Sequence, residues 1–404
     1  MPFDINRVRA QYPALQEGFA HFDGAAGTLV AARSSDAIAE VTRGAVGNKS
    51  TAFAAGRRAL EIVSRAREAV ADLVGGDPRG VVFGPSATAL TYLVARSLAE
   101  GWGKGDEIVV SRLDHDANVR PWVQVAARAG ATVRWAEFDP QTGALPAEEY
   151  EELINERTKL VAVTAASNAI GTRPDVAAIA RVAHGAGALV YVDGVHATPH
   201  APTDVAALAA DFYVTSAYKW SGPHIAACVA APTLWEGLRP DKLTPSPDEV
   251  PERFEYGTLS FELLAGVTGA VEHLADLGGF YDNDGTGSRR SRLINSLTEA
   301  HSYEMDLFAT LTAGLADIPS VVVCPAPAER CPTLSFRVGD QHPAQTARAL
   351  GDDGVCVFSG DYYAYEYFQT TRLRDSGGAV RASIYHYTTE EDVARLLDAV
   401  KRCL

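Results

Sequence analysis

The sequence contains few sulfur-bearing residues, and they are not spaced as in a metal site or a disulfide framework. Five cysteines and two methionines occur among 404 residues. The cysteines are odd in number, scattered and without CxxC spacing, at Cys228, Cys324, Cys331, Cys356 and Cys403. Zinc sites and disulfide scaffolds show paired or evenly counted cysteines. We therefore expect no bound metal and no disulfide scaffold, but reduced thiols in a cytoplasmic protein.

Positive charge is also scarce. The 36 Lys and Arg residues are outnumbered by 51 Asp and Glu residues, which gives a net charge of −15. Nucleic acids and anionic membranes both attract basic surfaces, so we expect neither of them as a partner. No apolar run approaches the roughly 20 residues of a membrane span. The opening segment MPFDINRVRAQYP lacks the apolar stretch of a signal peptide, which again favours the cytoplasm.

Short apolar segments alternate with amphipathic ones between about residues 60 and 230. Amphipathic segments such as Thr88–Ala99, Val119–Ala129 and Val176–His184 are typical of helices. Nearly all-apolar runs are typical of strands buried on both faces of a parallel sheet. The alternation predicts an α/β fold with a mainly parallel seven-stranded sheet and helices on both faces. The predicted strands are Val81–Phe83, Glu107–Val110, Thr132–Trp135, Leu160–Ala165, Leu189–Val192, Phe212–Thr215 and Ile225–Ala230.

The pattern changes after Gly257. Two long helices, three short strands and a closing helix are predicted there, which is typical of a smaller α+β domain. We therefore predict an N-terminal segment over 1–20, a large α/β domain over 21–262 and a small C-terminal domain over 263–404. A polar, Gly-rich surface loop is predicted at Asp282–Ser288. The other predicted elements are Leu263–Leu277, Arg289–Leu315, Ser320–Val323, Pro332–Val338, Val355–Phe358 and Glu390–Cys403.

Two strand ends carry the most informative chemistry. The segments LVYVDGVH (Leu189–His196) and DFYVTSAYKWSGP (Asp211–Pro223) are apolar strands that end in polar residues, separated by a short predicted helix, Thr203–Ala209. Such a unit makes the strands parallel, so both carboxyl ends open on the edge where α/β sheets bind ligands. Asp193 and Lys219 are therefore expected to meet in one crevice.

An amine and a carboxylate placed in this way suit pyridoxal 5′-phosphate (PLP). A lysine forms a Schiff base with the aldehyde. A carboxylate keeps the pyridine nitrogen protonated, so that the ring can accept electrons from the substrate. Lys219 alone is equally typical of a surface lysine, and Asp193 alone is no more specific. Together, at the ends of neighbouring strands, they favour the cofactor.

Three further motifs follow predicted strands. GPSATAL (Gly84–Leu90) leads into a helix whose free N–H groups, with the hydroxyls of Ser86 and Thr88, suit a phosphate, although an ordinary helix cap has the same pattern. In RLDHDANVRPW, His115 can lie over a planar ring or be a loop histidine. In SNAIG, Asn168 can donate to a phenolic oxygen or hold a turn.

These motifs resemble those of the class V aminotransferases, the superfamily of cysteine desulfurases, and within it a cysteine desulfurase-like branch. The matching segments occur in the family's order and cover almost the whole length. The resemblance implies a fold type I PLP-dependent transferase, PLP as cofactor, an amino acid substrate and a homodimer with shared active sites. The segments are His21–Thr28, Arg112–Trp122, Thr164–Thr172, Val192–His200, Ser216–His224, Phe254–Thr258 and Val380–Val393.

The resemblance also implies roles for individual residues. Lys219 is implied to be the Schiff-base lysine and the proton shuttle at Cα and Cβ, Asp193 the partner of the pyridine nitrogen, and His115 the ring stacked on the cofactor. Arg381 resembles the arginine that binds the substrate carboxylate, a task suited to a fork of donors. Asn168 and His196 resemble residues around the phenolic oxygen, Ala87, Thr88 and Ser216 the phosphate site, and Thr258 a contact to the phosphate in the neighbouring subunit.

The sequence departs from desulfurases at the loop that carries their sulfur-accepting cysteine. Aligning GVCVFSGDYYAYEY (Gly354–Tyr367) with that loop places Tyr363 at the position of the cysteine. Cys356 lies seven residues earlier, in a predicted strand, and free cysteines are commonly buried. Tyr218 replaces a histidine common in desulfurases and is either an acid/base group or a packing residue. The aromatic run Asp361–Phe368 suits a bulky substrate group or a dimer interface.

A PLP enzyme with a carboxylate-binding arginine and no sulfur acceptor is predicted to cleave the Cβ–S bond of an S-substituted cysteine. The products are a thiol, pyruvate and ammonia, with Lys219, His115 or Tyr218 protonating the sulfur and Tyr363 near the substrate. Such lyases act in natural-product or sulfur-metabolite biosynthesis. The alternatives are decarboxylation with oxidative deamination, transamination, epimerisation and desulfuration through Cys356. A PLP-fold binding or regulatory subunit is a further alternative, disfavoured by the intact set of Lys219, Asp193 and Arg381.

Overall fold

The computed structural model describes residues 3–279 and 287–404 of the chain. The predicted loop Asp282–Ser288 lies outside the described residues as far as residue 286. The strands are β1 Ala20–His21, β2 Val81–Gly84, β3 Glu107–Ser111, β4 Thr132–Ala136, β5 Thr158–Thr164, β6 Leu189–Asp193, β7 Phe212–Ser216, β8 Ala226–Ala230, β9 Val321–Val323, β10 Thr333–Val338, β11 Val355–Cys356, β12 Phe358–Gly360 and β13 Ala379–Ser383.

The helices of the described residues alternate with these strands in the first half of the chain and dominate the second half. They are α1 Ile5–Arg9, α2 Ala32–Arg43, α3 Ala54–Val74, α4 Ala87–Ala99, α5 Arg120–Ala129, α6 Glu148–Leu153, α7 Val176–Gly185, α8 Pro232–Glu236, α9 Phe261–Ala275, α10 Arg289–Ala316, α11 Pro343–Asp352, α12 Tyr365–Thr370 and α13 Glu390–Arg402.

The predicted seven-stranded sheet is confirmed. Its strands lie in the order β2-β8-β7-β6-β5-β3-β4, and β8 alone among them runs antiparallel to its neighbours. Successive residues of β5 enter different cores, with Val161 and Val163 on one face and Leu160 and Ala162 on the other. A strand buried on both faces has no polar side to alternate with, which explains the nearly continuous apolar runs.

A second, antiparallel sheet has the order β12-β13-β10-β9, and β1 pairs separately with β11. The predicted strand Val355–Phe358 is wrong as a single element. Val355 and Cys356 pair with β1, whereas Phe358 opposes Arg381 of β13. The chain changes its pairing partner at Val357, and local residue preferences carry no information about such a change.

The predicted helix Thr203–Ala209 is also wrong, because the segment consists of turns. The side chain of Asp204 accepts hydrogen bonds from the backbone of Ala206 and Ala207, both at 3.0 Å. Such bonds cap the start of a helix, but Ala209 has φ of +51°, a left-handed conformation that ends the segment after a single turn. The segment still connects β6 to β7 in parallel, so the conclusion drawn from it about the strand ends holds.

The predicted domain boundary at residue 263 stays a prediction. Helix α9 lies across this boundary, and its Leu264 and Val267 share one hydrophobic core with β3 and β5. The small sheet forms a separate core with α13, around residues such as Phe336 and Leu396. Helices of the described residues are all too short or too polar to cross a membrane.

Candidate active site

A cavity of about 590 Å³ opens at the carboxyl ends of the parallel strands, between the large sheet and the β12–β13 side of the small one. Every residue predicted for the site lines this cavity except Thr258. Thr258 is exposed, and its predicted contact with a second subunit stays a prediction. The fold thus brings together Ser86, Ala87, Thr88, His115, Asn168, Asp193, His196, Ser216, Tyr218, Lys219, Tyr363 and Arg381.

Asp193 and Lys219 meet in the cavity as the sequence predicts. Asp193 ends β6, accepts a hydrogen bond from the Val195 backbone at 2.9 Å, and has its pKa raised to about 6 by burial. Lys219 follows β7 in a single 3-10 turn. Burial and then the positive charge of Arg381 lower the pKa of Lys219 to about 7. At neutral pH the amine is therefore partly neutral, as Schiff-base formation requires, and the carboxylate is largely ionised.

The amine of Lys219 has acceptors that the sequence did not reveal. Its Nζ donates to the backbone carbonyl of Ala25 and, at 2.9 Å, to that of Ala26. Both carbonyls lie in the loop after β1, which Ser383 holds by accepting a hydrogen bond from the Ala25 backbone at 2.8 Å. Main-chain acceptors leave no side-chain signal, so only the folded chain identifies them.

The amino end of α4 borders the same cavity. Ser86 is the N-cap of this helix, and its Oγ accepts a hydrogen bond from the Ala89 backbone at 3.1 Å. Ala87 and Thr88 form the first turn, whose free N–H groups and helix dipole favour an anion. Ser216, buried at the end of β7, completes this side. The motif is therefore both an ordinary helix cap and a cavity wall.

His115 is held as a neutral ring. Its Nδ1 accepts a hydrogen bond from the Ala117 backbone at 3.0 Å, which leaves the hydrogen on Nε2. Burial, with the charges of Lys219 and Arg381, lowers the pKa of His115 to about 3. The ring stacks against Tyr363 with centroids 5.5 Å apart and planes 29° apart. A neutral ring is a poor acid, so this geometry favours stacking over proton donation.

Arg381 and Asn168 each place at the site a polar atom without a hydrogen-bond partner among the described residues. Arg381 is buried on β13, its Nη1 donates to the Asn168 carbonyl at 2.9 Å, and its guanidinium lies 4.5 Å from the centre of the Tyr362 ring. Asn168 Nδ2 donates to the Tyr362 carbonyl at 2.9 Å. Among the described residues, Arg381 Nε and Asn168 Oδ1 have no hydrogen-bond partner. Buried atoms of this kind normally have partners, so a polar ligand is expected here.

The remaining predicted residues, His196 and Tyr218, line the same cavity. His196 is buried, with Nε2 3.0 Å from Thr333 Oγ1. The Tyr218 ring stacks on His224 at 4.8 Å, and Lys219 Nζ lies 5.0 Å from its centre. Burial raises the pKa of Tyr218, so its phenol keeps its hydrogen at neutral pH.

No cysteine of the described residues lines the cavity. Tyr363 stands at its mouth instead, 72% exposed and with φ of +60°. Cys356 pairs with His21 between β11 and β1 and is not among the lining residues. Tyr362, Phe358 and Arg120, which also line the mouth, were not predicted as site residues. The aromatic run Asp361–Phe368 contains Tyr362 and the motif Arg112–Trp122 contains Arg120, whereas Phe358 lies in neither.

A comparison with known protein families shows which family this chain belongs to. The profile of the family described as aminotransferase class-V matches residues 20–282 and 292–396. The chain belongs to the class V aminotransferase family. Over 401 residues, the chain is 36% identical to an uncharacterized protein of Mycobacterium tuberculosis (strain CDC 1551 / Oshkosh), with 99% of each chain covered. It is 30% identical to a cysteine desulfurase of Klebsiella pneumoniae, over 100% of this chain and 98% of that one.

Solved structures agree with the sequence relationship. The cysteine desulfurase CsdA of Escherichia coli superimposes with a TM-score of 0.87 and 28% identity, over 100% of this chain and 98% of that one. A cysteine desulfurase of Thermococcus onnurineus gives a TM-score of 0.88 and 25% identity, over 98% and 97%. The predicted fold type I architecture and cysteine desulfurase-like resemblance are therefore confirmed. Class V aminotransferases are PLP enzymes, which implies PLP as the cofactor.

The cavity of this family member fits that cofactor. It contains a lysine whose pKa is lowered to about 7, a buried carboxylate, a helix amino end and a neutral stacking ring. Asn168 Oδ1 is left for a polar atom of a ligand. Each part of PLP that needs a protein group, namely aldehyde, pyridine nitrogen, ring face and phosphate, has a suitable one here.

Proposed function

We propose that this enzyme cleaves the Cβ–S bond of an S-substituted cysteine and releases a thiol, pyruvate and ammonia. The observation that carries the proposal is the absence of any cysteine from the cavity lining among the described residues. Desulfuration needs a protein thiol to accept the sulfur, and Tyr363 stands where that thiol is expected. Without an acceptor, the sulfur leaves together with its substituent.

Four groups would hold the cofactor. Lys219 would bind it covalently, Asp193 would contact the pyridine nitrogen, His115 would stack on the ring, and the start of α4 with Ser216 would bind the phosphate. When bound, PLP supplies an electron sink that makes the Cα hydrogen of an amino acid acidic and assists loss of a group from Cβ.

Arg381 is the proposed partner of the substrate α-carboxylate. Its guanidinium is buried, its Nε is unsatisfied, and the Tyr362 ring at 4.5 Å fixes its plane. A planar fork held in this way can form two parallel hydrogen bonds to a carboxylate. Burial lowers the pKa of Arg381 to about 10, which still leaves it charged at neutral pH.

Lys219 is the proposed base that takes the proton from the substrate Cα. A pKa of about 7 allows the amine both to accept and to return a proton near neutral pH. The backbone carbonyls of Ala25 and Ala26 then stabilise the ammonium group by accepting hydrogen bonds from it. Tyr218, beside the amine and with its phenol protonated, is the proposed donor to the departing sulfur.

A homodimer is proposed as the working form. Thr258 and its neighbour Tyr256 are exposed and lie outside the cavity of their own chain, as expected of residues that serve a second subunit. Light scattering tests the assembly. Thr258→Val is expected to weaken PLP binding while the protein stays dimeric.

The cytoplasmic location also stays a prediction.

The test of the proposed reaction is a panel of cysteine S-conjugates with free cysteine as the comparison, using PLP-loaded protein. Stoichiometric pyruvate, ammonia and free thiol from the conjugates support the proposal. Alanine with a persulfide on Cys356 identifies a desulfurase instead, and an aldehyde with carbon dioxide identifies a decarboxylating enzyme. Binding of PLP without turnover of any amino acid identifies a binding or regulatory subunit.

A further inference from the structure

A buried polar cluster lies behind the turn that carries Lys219. It consists of Tyr12, Ser221, His273, Glu304 and His386, named here the Tyr12 cluster, and none of these side chains is more than 5% exposed. Its members come from the N-terminal segment, the lysine turn, α9, α10 and the segment after β13. The proposed reaction uses none of them, although buried polar groups are expensive to keep without a purpose or full pairing.

The hydroxyl of Tyr12 is the centre of this cluster. It lies 2.7 Å from each of three atoms, namely Ser221 Oγ, His273 Nε2 and His386 Nε2. A phenol has one hydrogen to donate and two lone pairs to accept with. Tyr12 therefore donates to one of these partners and accepts from the other two, and the protonation of the histidines decides which.

Glu304 decides the tautomer of His386. Its Oε2 accepts from His200 Nδ1 at 2.8 Å, and its Oε1 lies 3.5 Å from His386 Nδ1. Neither Glu304 Oε1 nor His386 Nδ1 has a closer partner among the described residues. Burial acts to raise the pKa of Glu304, but His200 and His386 outweigh it and hold the pKa below its ordinary value. An ionised carboxylate only accepts, so the hydrogen of His386 sits on Nδ1.

The remaining hydrogen positions follow from that one. Burial lowers the pKa of both His386 and His273, so each ring is neutral with a single hydrogen. Because His386 Nε2 can then only accept, Tyr12 donates to it. Tyr12 in turn accepts from His273 and Ser221, and Ser221 accepts from the Tyr385 hydroxyl at 3.0 Å. The hydrogen bonds run in one direction, from Tyr385 through Ser221 and Tyr12 to His386, whose Nδ1 faces Glu304 Oε1 at 3.5 Å.

This chain of hydrogen bonds passes through a strained residue, Ser221. Ser221 has φ of +65°, in the left-handed region that favours glycine, and it follows Lys219 by two positions. Its backbone N–H donates to Thr28 Oγ1 at 2.8 Å. Residues keep such a conformation only when their surroundings over-determine it. We propose that Glu304, acting through His386 and Tyr12, is a positioning residue that holds the turn carrying Lys219.

This inference rests on the proposed role of Lys219 as the reacting amine, and not on which bond of the substrate is cleaved. It is tested in the apoprotein, without turnover, by hydrogen exchange over residues 217–222 and by the pH dependence of Lys219 acetylation. Tyr12→Phe and Glu304→Gln are expected to speed exchange in this turn by about tenfold, as a local opening does, and to shift the acetylation midpoint. Tyr150→Phe is the matched control, since this buried tyrosine has no hydroxyl partner among the described residues.

A second variant keeps the test decisive if Tyr12→Phe is poorly stable. Glycine adopts φ of +65° without strain, so adding Ser221→Gly to Tyr12→Phe is expected to slow exchange in the turn again. The proposal is overturned if exchange over 217–222 is unchanged in both single variants, if it rises equally along the whole chain, or if the double variant shows no recovery. Borohydride reduction of the PLP-loaded protein that tags another lysine would contradict the proposed function but leave this test intact.

Discussion

The inner and outer halves of the cavity are built differently. The inner half consists of strand ends and a helix start, where Asp193 and Ser216 are buried in a sheet that is itself covered on both faces. The outer half is the segment between β12 and α12, where Tyr362 and Tyr363 both have positive φ. Tyr363 is largely exposed there, whereas Arg381, which lies against Tyr362, is buried.

The inner half therefore contains the groups that members of the family share, and the outer half contains those in which this chain can differ from them. The inner half holds groups that any PLP chemistry requires, since the ring needs an amine, a carboxylate and a phosphate site whichever bond breaks. The outer half is proposed to contact the part of the substrate that differs between reactions. Family membership therefore supports statements about the inner half, and the outer half must be tested by substitution.

The largest effect is expected at the centre of the inner half. Lys219→Ala removes both the covalent anchor and the base, and should lower turnover by about 10⁴-fold or more. Steady-state kinetics measures the loss, and circular dichroism checks that the fold remains. Lys242→Ala is the control, because Lys242 pairs with Asp248 outside the cavity. Residual activity within tenfold of wild type would show that another amine does the chemistry.

Arg381 lies between the two halves of the cavity, and its substitution should cause the next largest loss of activity. Truncating a buried charged partner costs about 2–5 kcal/mol, so Arg381→Ala should lower kcat/KM by about 30-fold or more. The loss should vanish for a substrate whose α-carboxylate is an amide, because that substrate never used the guanidinium. Arg337→Ala on the adjacent β10 is the control, since Arg337 lies outside the cavity. An equal loss with the amide would argue against the assigned role.

Asp193 tests the electrostatics of the inner half through pH. In the apoprotein the neutral amine reacts, so PLP capture should rise with pH up to the Lys219 pKa of about 7 and then level off. The charge of Asp193 raises that pKa. Asp193→Asn should therefore move the midpoint to lower pH.

The control for this prediction is at the opposite end of the same strands. Asp211, just before β7, accepts hydrogen bonds from His184 and the Val190 backbone, far from the lining residues. Asp211→Asn should leave the capture midpoint unchanged. A midpoint that moves upward in Asp193→Asn would show that the carboxylate does not act on the amine as its position implies.

The two halves also differ in how far the sequence alone predicted them. The strands of the large sheet were found because burial on both faces leaves continuous apolar runs, and Asp193 and Lys219 follow such runs directly. The small sheet was less predictable, since the chain passes from β1 to β13 within Val355–Phe358. Contacts between distant segments, such as Lys219 with the Ala26 carbonyl or Tyr12 with Ser221, have no local pattern, so only the folded chain reveals them.

The smallest predicted effect is the one that bears most directly on the outer half. The Tyr363 ring stacks on His115 at the cavity mouth, where an aromatic contact with a large S-substituent would contribute about 0.5–1.5 kcal/mol. Tyr363→Ala should therefore raise KM by about two- to tenfold for conjugates with a large S-substituent and change it little for S-methylcysteine. Tyr365→Ala is the matched control, since Tyr365 is a neighbouring, partly exposed ring outside the cavity lining.

The same position offers a direct comparison with desulfurases. Tyr363→Cys places a thiol at the mouth, and with free cysteine the product should shift from pyruvate towards alanine with a persulfide on the new side chain. Mass spectrometry of the protein and product analysis measure this partition. If the variant forms no persulfide while KM changes equally for small and large conjugates, Tyr363 does not face the substrate sulfur. The aromatic residues of the outer half would then serve packing or a dimer interface. The residues of the inner half alone would have to indicate the substrate.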